Sequence, residues 1–418
     1  MKKLLVTLMC VLMIVAMMPT MVFAASTPVT TAADFKAAVE AGGDVVLGAD
    51  IDLGTSTVYI NKNINIDGGD YTVTSAAGKL FRINDTGSDR TAEATEVVIK
   101  NLKVVNTASN GRIVDTRNGQ VEVTLEKVDF KANGGGNPQP ITIGGSENGT
   151  IVNVKDSKIE TTGYAVIAFV KNTLTVDNSD LTGYAALYYK AGSDNSVATV
   201  KNGSVLSSKN NLVGASNTFA TVVVETADNV KIDIIDSVVK ADATGTCSQV
   251  AFGFKPLFPD DWDYENGDVE ALKTENPELF ADNNTVTVSG GSSIEVKSND
   301  GVKAIVESDL TENKVVVKGG EVKVVEGDKA QIVPDELFDS NAKTNVKADG
   351  TKVVVCETHD YVNGVCKVCE TKEPVETPKA EVPKTEVPKT ADTNTMMPWL
   401  AVMAVTAVGA VALKRKEN

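Results

Sequence analysis

One spacing recurs nine times through the middle of the chain, and it restricts the fold more than any other feature. Apolar residues stand at i and i+2, usually a small or polar residue at i+4, and an apolar or aromatic residue at i+7. The copies begin with Ile64-x-Ile66-x-Gly68-x-x-Tyr71, Val97-x-Ile99-x-Asn101-x-x-Val104 and Val121-x-Val123-x-Leu125-x-x-Val128, the last with Leu at the turn. They continue with Val152-x-Val154-x-Asp156-x-x-Ile159, Leu174-x-Val176-x-Asn178-x-x-Leu181 and Ala198-x-Val200-x-Asn202-x-x-Val205. The last three are Ile232-x-Ile234-x-Asp236-x-x-Val239, Val286-x-Val288-x-Gly290 with Ile294 one residue late, and Val315-x-Val317-x-Gly319-x-x-Val322. Alternation at i and i+2 puts two side chains on one face of a strand. Asn, Asp or Gly at i+4 tolerates the left-handed backbone of a sharp corner, and residue i+7 then points back into the same core. Copies that follow directly start 22 to 34 residues apart, about one turn of a large solenoid coil. A single coil cannot bury its own apolar face, so stacked coils must share one core. The spacing therefore predicts an all-β fold, a parallel β-helix over residues 26–345, with its longest interruption at 244–284. A β-sandwich would instead place hairpin signals between paired strands. Asn118-Gly119, Asn148-Gly149 and Asn202-Gly203 fall at irregular intervals.

An open first coil needs a cap. The stretch from Thr30 to Gly43 predicts a short amphipathic helix with Phe35, Ala38 and Val39 on one face, ended by Gly42-Gly43. This helix, the following Val45-Val46-Leu47, Ile51-x-Leu53 and Ile64-x-Ile66-x-Gly68-Gly69, and the repeat rhythm resemble pectate-lyase-like right-handed β-helix proteins. The resemblance covers roughly residues 28–330. It implies a right-handed solenoid with a capping helix and says little about activity.

The two ends read as addresses. Lys2 and Lys3, the apolar run Leu4–Met18 and Val22-Phe23-Ala24 form a signal peptide over residues 1–25. Met396–Leu413 is an 18-residue apolar run followed by Lys414-Arg415-Lys416. As a helix it spans about 27 Å, enough for a membrane crossing, with the basic cluster cytoplasmic. Before it stands Val387-Pro388-Lys389-Thr390-Ala391. This tail, residues 387–418, resembles the cell-wall sorting signal of Gram-positive surface proteins, whose motif is L-P-x-T-G-like. The resemblance implies that a sortase attacks the carbonyl of Thr390, Ala391 leaves, and the chain is joined to peptidoglycan. Val387 and Ala391 depart from the family's Leu and Gly, and a plain membrane anchor is the alternative. Residues 373–390, rich in Pro, Lys, Glu and Thr, predict an extended spacer.

Three cysteines join the chain's only histidine: Cys356-x2-His359-x6-Cys366-x2-Cys369, within a module at 346–372. Four N and S ligands at this spacing suit tetrahedral zinc in a closed, structural site. A Cys366–Cys369 or Cys356–Cys366 disulfide is the alternative outside the cell. The stretch also resembles small C-x-x-H…G-x-C-x-x-C modules near the C-termini of surface proteins from anaerobic Gram-positive bacteria. Cys247 stands apart and reads as an apolar filler.

Function is constrained more by exclusion. The 418 residues carry 40 Lys and Arg against 56 Asp and Glu, a net charge of −16. Phosphate backbones repel such a chain, which excludes nucleic-acid binding through a basic surface. No lyase or hydrolase motif of the β-helix enzymes is complete: the only His lies outside the repeats, and Arg occurs within them only at Arg82, Arg90, Arg112 and Arg117. The interruption holds Phe254, Trp262 and Tyr264 as candidate contacts for a sugar face or a protein. It also predicts a short helix over Asp268–Phe280, broken at Pro277. The layout suggests a protein displayed on a Gram-positive cell surface, a non-enzymatic, adhesin-like binder of extracellular glycans or proteins. The alternatives are a wall-anchored polysaccharide lyase or glycoside hydrolase, and a structural wall protein without a ligand. Carboxylates clustered with Arg or Lys on one solenoid face would favour the enzyme.

Overall fold

The computed structural model describes residues 27–85, 94–118, 120–145, 149–210, 219–243, 249–263, 266–298, 305–308, 312–326, 329–331 and 333–374. The fold is all-β and solenoidal. Three sheets of ten, thirteen and nine strands are built by parallel pairing of strands from successive coils, except for three antiparallel strands at the end of the second. In the first sheet Ile64 pairs with Val97, Val97 with Val123, Val123 with Val152, Val152 with Leu174, Leu174 with Ala198, Ala198 with Ile232, Ile232 with Val286, and Val286 with Val315. Eight of the nine repeats thus stack in the expected register. The exception is the Val121 copy, displaced by two residues. Val123 and Leu125 are its inward pair, and Lys127, at φ +53°, makes the corner.

Most other corners stand where expected, but in the first and last copies the left-handed residues are Gly69-Asp70 and Gly320, just past the expected Gly68 and Gly319. Asn101, Asp156, Asn178, Asn202 and Asp236 all have φ between +47° and +59°. The side chains also tie coil to coil. The Asn178 amide donates to Asp156 Oδ1 at 2.6 Å, and the Asn202 amide to Asp177 Oδ1 at 2.7 Å. Just past these corners lies a column of buried serines. The backbone N–H of Ser157 donates to Ser179 Oγ, that of Ser179 to Ser204 Oγ, and that of Ser237 to Ser292 Oγ, at 3.0–3.1 Å. Each hydroxyl satisfies a donor that burial would otherwise orphan.

Three expected inward residues are replaced by neighbours. Tyr71 is exposed and Val73 is buried, because the corner Gly68-Gly69-Asp70 is longer. Phe130 takes the place expected of Val128, and Leu206 that of Val205. The third sheet breaks alternation with a recurrent bulge. Ile113 and Val114 both donate to Pro140 O and are both buried, as are Ala251 and Phe252, which share Ile305 O.

The capping helix is Ala32–Ala41, with Thr31 as N-cap. Phe35 is buried against Phe81 of the third sheet, edge to face at 6.3 Å. At the other end parallel pairing gives way to antiparallel strands. Lys352–Val354 pairs with Glu321–Glu326, and Thr344–Val346 pairs with Lys352–Val354. Residues 346–354 therefore finish the second sheet rather than open the Cys/His module. The interruption is also shorter than expected. Gln249–Lys255 is a strand of the third sheet, so the excursion begins at Pro256. It carries the helix Val269–Glu275, capped by Asp268, and a 3-10 turn at Pro277–Leu279. Among the described residues no helix is long and apolar enough to cross a membrane. The signal at 1–25, Cys247, the sortase residues 387–391 and the run 396–413 lie outside the described residues.

Candidate functional site

The Cys/His module is a knuckle on a hairpin. Tyr361–Val362 pairs antiparallel with Val365–Cys366 across Asn363-Gly364, both at positive φ. Asn-Gly suits this tight turn because both central residues must be left-handed. The turn brings the four predicted ligands together, with their ligand atoms all within 4.8 Å of one another. Cys356 Sγ lies 3.6 Å from Cys366 Sγ, and Cys369 Sγ lies 3.4 Å from His359 Nδ1. A tetrahedron with metal–sulfur arms of about 2.3 Å has edges of about 3.8 Å, so these separations fit an enclosed ion. A disulfide needs about 2.05 Å, and Cys356, Cys366 and Cys369 are free thiols.

The electrostatics prepare one thiolate. Burial pushes Cys366 up, but the backbone N–H groups of Cys369 and Val368, with His359, outweigh it and hold the thiol near 5. Cys356 is pushed up to about 12 by desolvation and by the neighbouring thiols of Cys366 and Cys369. His359 stacks on Tyr361 at 5.2 Å, which fixes its ring. The cluster can hold a metal ion.

The knuckle is docked on the last coils. The Gly290 N–H donates to Cys369 O at 3.2 Å, and a Cβ at Gly319 would stand 2.2 Å from that same oxygen, so only glycine fits there. Lys318 pairs with Glu370 at 3.0 Å, and Lys372 reaches Asp236 at 3.5 Å and Asn202 Oδ1 at 3.3 Å.

The aromatic candidates do not converge. Phe254 is 1% exposed and belongs to the core, because it continues the third sheet; it offers no face to a ligand. Trp262 is half-buried and stacks on Phe258 at 5.1 Å, and Phe258 packs against buried Phe280. Tyr264 lies outside the described residues.

Carboxylates do meet basic groups on the third sheet. Asp115, fully buried, receives Arg112 Nη1 at 3.0 Å and Arg117 Nε at 2.9 Å, with Arg82 Nε at 3.6 Å. Glu225 accepts from Tyr188 Oη at 2.7 Å and pairs with Lys190 at 2.9 Å. Burial, then the Glu225 charge, pushes the Tyr188 phenol up. Elsewhere Asp194, Asp228 and Asp282 form a column. Asp194 accepts the N–H of Asp228 and Asp228 that of Asp282, both at 2.8 Å. Burial and the charges of Asp194 and Asp282 raise Asp228 despite that hydrogen bond. Arg82 and Arg112 were visible in the sequence, but only pairing Arg82 with Asp115 and Lys79 with Arg112 brings them together. No family model, curated protein or solved structure matches the chain.

Proposed function

We propose that this chain is an exported, wall-anchored, right-handed β-helix that acts at a Gram-positive cell surface as a non-enzymatic, adhesin-like binder of glycans or proteins. The observation that supports a binding surface over a hydrolytic cleft is how the clustered carboxylates are used. Asp115 is buried beneath guanidinium groups, and Asp194 and Asp228 accept the backbone of the next coil. Glu225 is held by Tyr188 and Lys190. Acid–base cleavage needs carboxylates poised at the sugar, whereas these hold the solenoid together. In this reading Thr390 is the acyl donor to sortase, and Cys356, His359, Cys366 and Cys369 hold a structural zinc with no open position. The test is to incubate the full chain with pectins, mucin glycans and host polysaccharides, with and without Ca²⁺. Saturable retention without shortened or unsaturated products by mass spectrometry is expected, and products would overturn the reading. Metal analysis of the same protein under reducing conditions should give about one zinc per chain; none would remove the zinc assignment.

A further inference from the structure

The three arginines among the described residues all gather on one face of a chain whose net charge is −16. They lie on or beside adjacent strands of the third sheet, Lys79–Ile83 and Arg112–Thr116, where Lys79 pairs with Arg112 and Arg82 with Asp115. Arg82 alternates with the buried Phe81 and Ile83, so it points outward. Arg82 also reaches Asp85 at 2.9 Å. Among the described residues four cations, Lys79, Arg82, Arg112 and Arg117, thus surround two carboxylates, Asp115 and Asp85.

That is more positive charge than a buried aspartate requires. One well-placed guanidinium fork balances a carboxylate, and each further cation adds repulsion. The repulsion registers on Lys79, whose ammonium is held below its usual range by burial and then by Arg117 and Arg82. Donors also remain. Arg117 uses Nε on Asp115, which leaves the four N–H groups of its two Nη atoms. The arginine side chains are 22–29% exposed, so a ligand can reach them. The acidic remainder of the chain does not cancel the patch, because exposed charges beyond about 8 Å are screened at physiological salt.

We propose that this cluster binds a carboxylate or sulfate group carried on an anionic glycan, with Arg112 and Arg117 as donors and Asp115 as the positioning residue that holds them. The planar guanidinium matches both oxyanions. A glycan is favoured over an acidic peptide by an aromatic group further along the same sheet. The row that faces away from the main core runs from Arg82 through Asp115, Thr142 and Ile167 to Tyr188, and all but Arg82 are buried. There the half-buried Tyr164 and Tyr184, 6.3 Å apart, are the rings open to a sugar, and Tyr164 packs on the buried Tyr188 at 4.8 Å. Three strand spacings separate Asp115 from this aromatic group, roughly 14 Å, within reach of one oligosaccharide. The inference rests on the binding reading above and supplies its ligand class.

The test uses the full chain, immobilised, against polygalacturonate, dextran sulfate, uncharged dextran, polyaspartate and mucin. The double variant Arg112→Gln/Arg117→Gln should bind the anionic glycans at least tenfold more weakly, with far-UV circular dichroism unchanged. Lys158→Gln, a charge change on the second sheet, should leave binding as it was. Arg112→Lys/Arg117→Lys keeps the countercharge of Asp115 and serves if the glutamine variant unfolds; it should still bind several-fold more weakly, because an ammonium lacks the fork. Polygalacturonate against dextran sulfate tells carboxylate from sulfate. Equal affinity in the Arg variants overturns the site, as does retention of polyaspartate alone. If mucin or dextran is retained independently of these arginines, this site falls while the binding reading stands. If nothing is retained saturably, both fall.

Discussion

Replacing Asn178 by Ala tests whether left-handed corners hold the coils. Asn178 sits at φ +47° and its amide donates to Asp156 Oδ1 at 2.6 Å. An Ala Cβ in that conformation costs about 1–2 kcal/mol. The lost hydrogen bond, near the surface, adds about 0.5–1.5 kcal/mol. Asn178→Ala should therefore lose about 2–3 kcal/mol, while Asn178→Gly, which keeps the backbone freedom, should lose only the hydrogen-bond part, about 1 kcal/mol. Lys127 adopts the same backbone at the displaced repeat, with φ +53°, so Lys127→Gly relieves about 1–2 kcal/mol of left-handed strain against about 0.4–1 kcal/mol of added unfolded-chain entropy and should be stabilising by up to about 1 kcal/mol. Urea unfolding followed by circular dichroism reads all three, and comparing slopes checks that each variant exposes the same surface. If Asn178→Ala and Asn178→Gly unfold at the same urea concentration, the left-handed backbone is not what the corner requires, and the account fails.

Three further outcomes are expected. Ser179→Ala removes the acceptor for the buried Ser157 N–H and should cost about 1–3 kcal/mol in urea unfolding, the penalty for an orphaned donor; a loss under about 0.5 kcal/mol would refute the serine column. Phe81→Ala empties a fully buried site against Phe35 and should cost about 3–5 kcal/mol, with a Phe35/Phe81 double-mutant cycle giving about 0.5–1.5 kcal/mol of coupling. Asp228 has its folded pKa raised by burial and by Asp194 and Asp282. The stability it contributes is present below its unfolded pKa and is lost as pH rises through the folded value. The stability of wild type relative to Asp228→Asn should accordingly fall as pH rises from about 4, and a pH-independent difference would refute the shift.

What could be read in advance depended on how local each constraint is. The first sheet was legible because two inward residues and a left-handed corner lie within five positions. The Val121 copy carried its own warning, an apolar Leu125 where a corner was expected; Leu125 is fully buried and the corner belongs to Lys127. Tyr71 and Val205 were misplaced because corners of different length shift the second strand without altering the first. The third sheet was not legible. Its bulge buries two consecutive residues, such as Ile113 and Val114, and that removes the period-two signal. The metal ligands were legible because all four lie within fourteen residues. The arginine cluster was not, since Arg82 and Arg112 meet only through a register that joins separate coils.

The placement of the Cys/His knuckle reflects the same stacking logic. A parallel solenoid has two open ends, each a row of unpaired strand edges that invites another chain. At the first end Ala32–Ala41 covers the core with Phe35 and Val39. At the last end the antiparallel strands Lys352–Val354 and Thr344–Val346 stop further parallel addition to the second sheet. The knuckle then turns back along the corner column, contacting Asn202, Asp236, Gly290 and Lys318. These contacts span four coils, so an ion that ordered Cys356, His359, Cys366 and Cys369 would also brace the coils beneath them. Metal binding would then be folding free energy for the end of the solenoid as well as for the knuckle. Chelation should lower hydrogen-exchange protection in Thr285–Ser289 and Lys314–Val317 and leave the strands near Phe35 unchanged. Loss confined to the knuckle would show that the docking contacts carry no coupling.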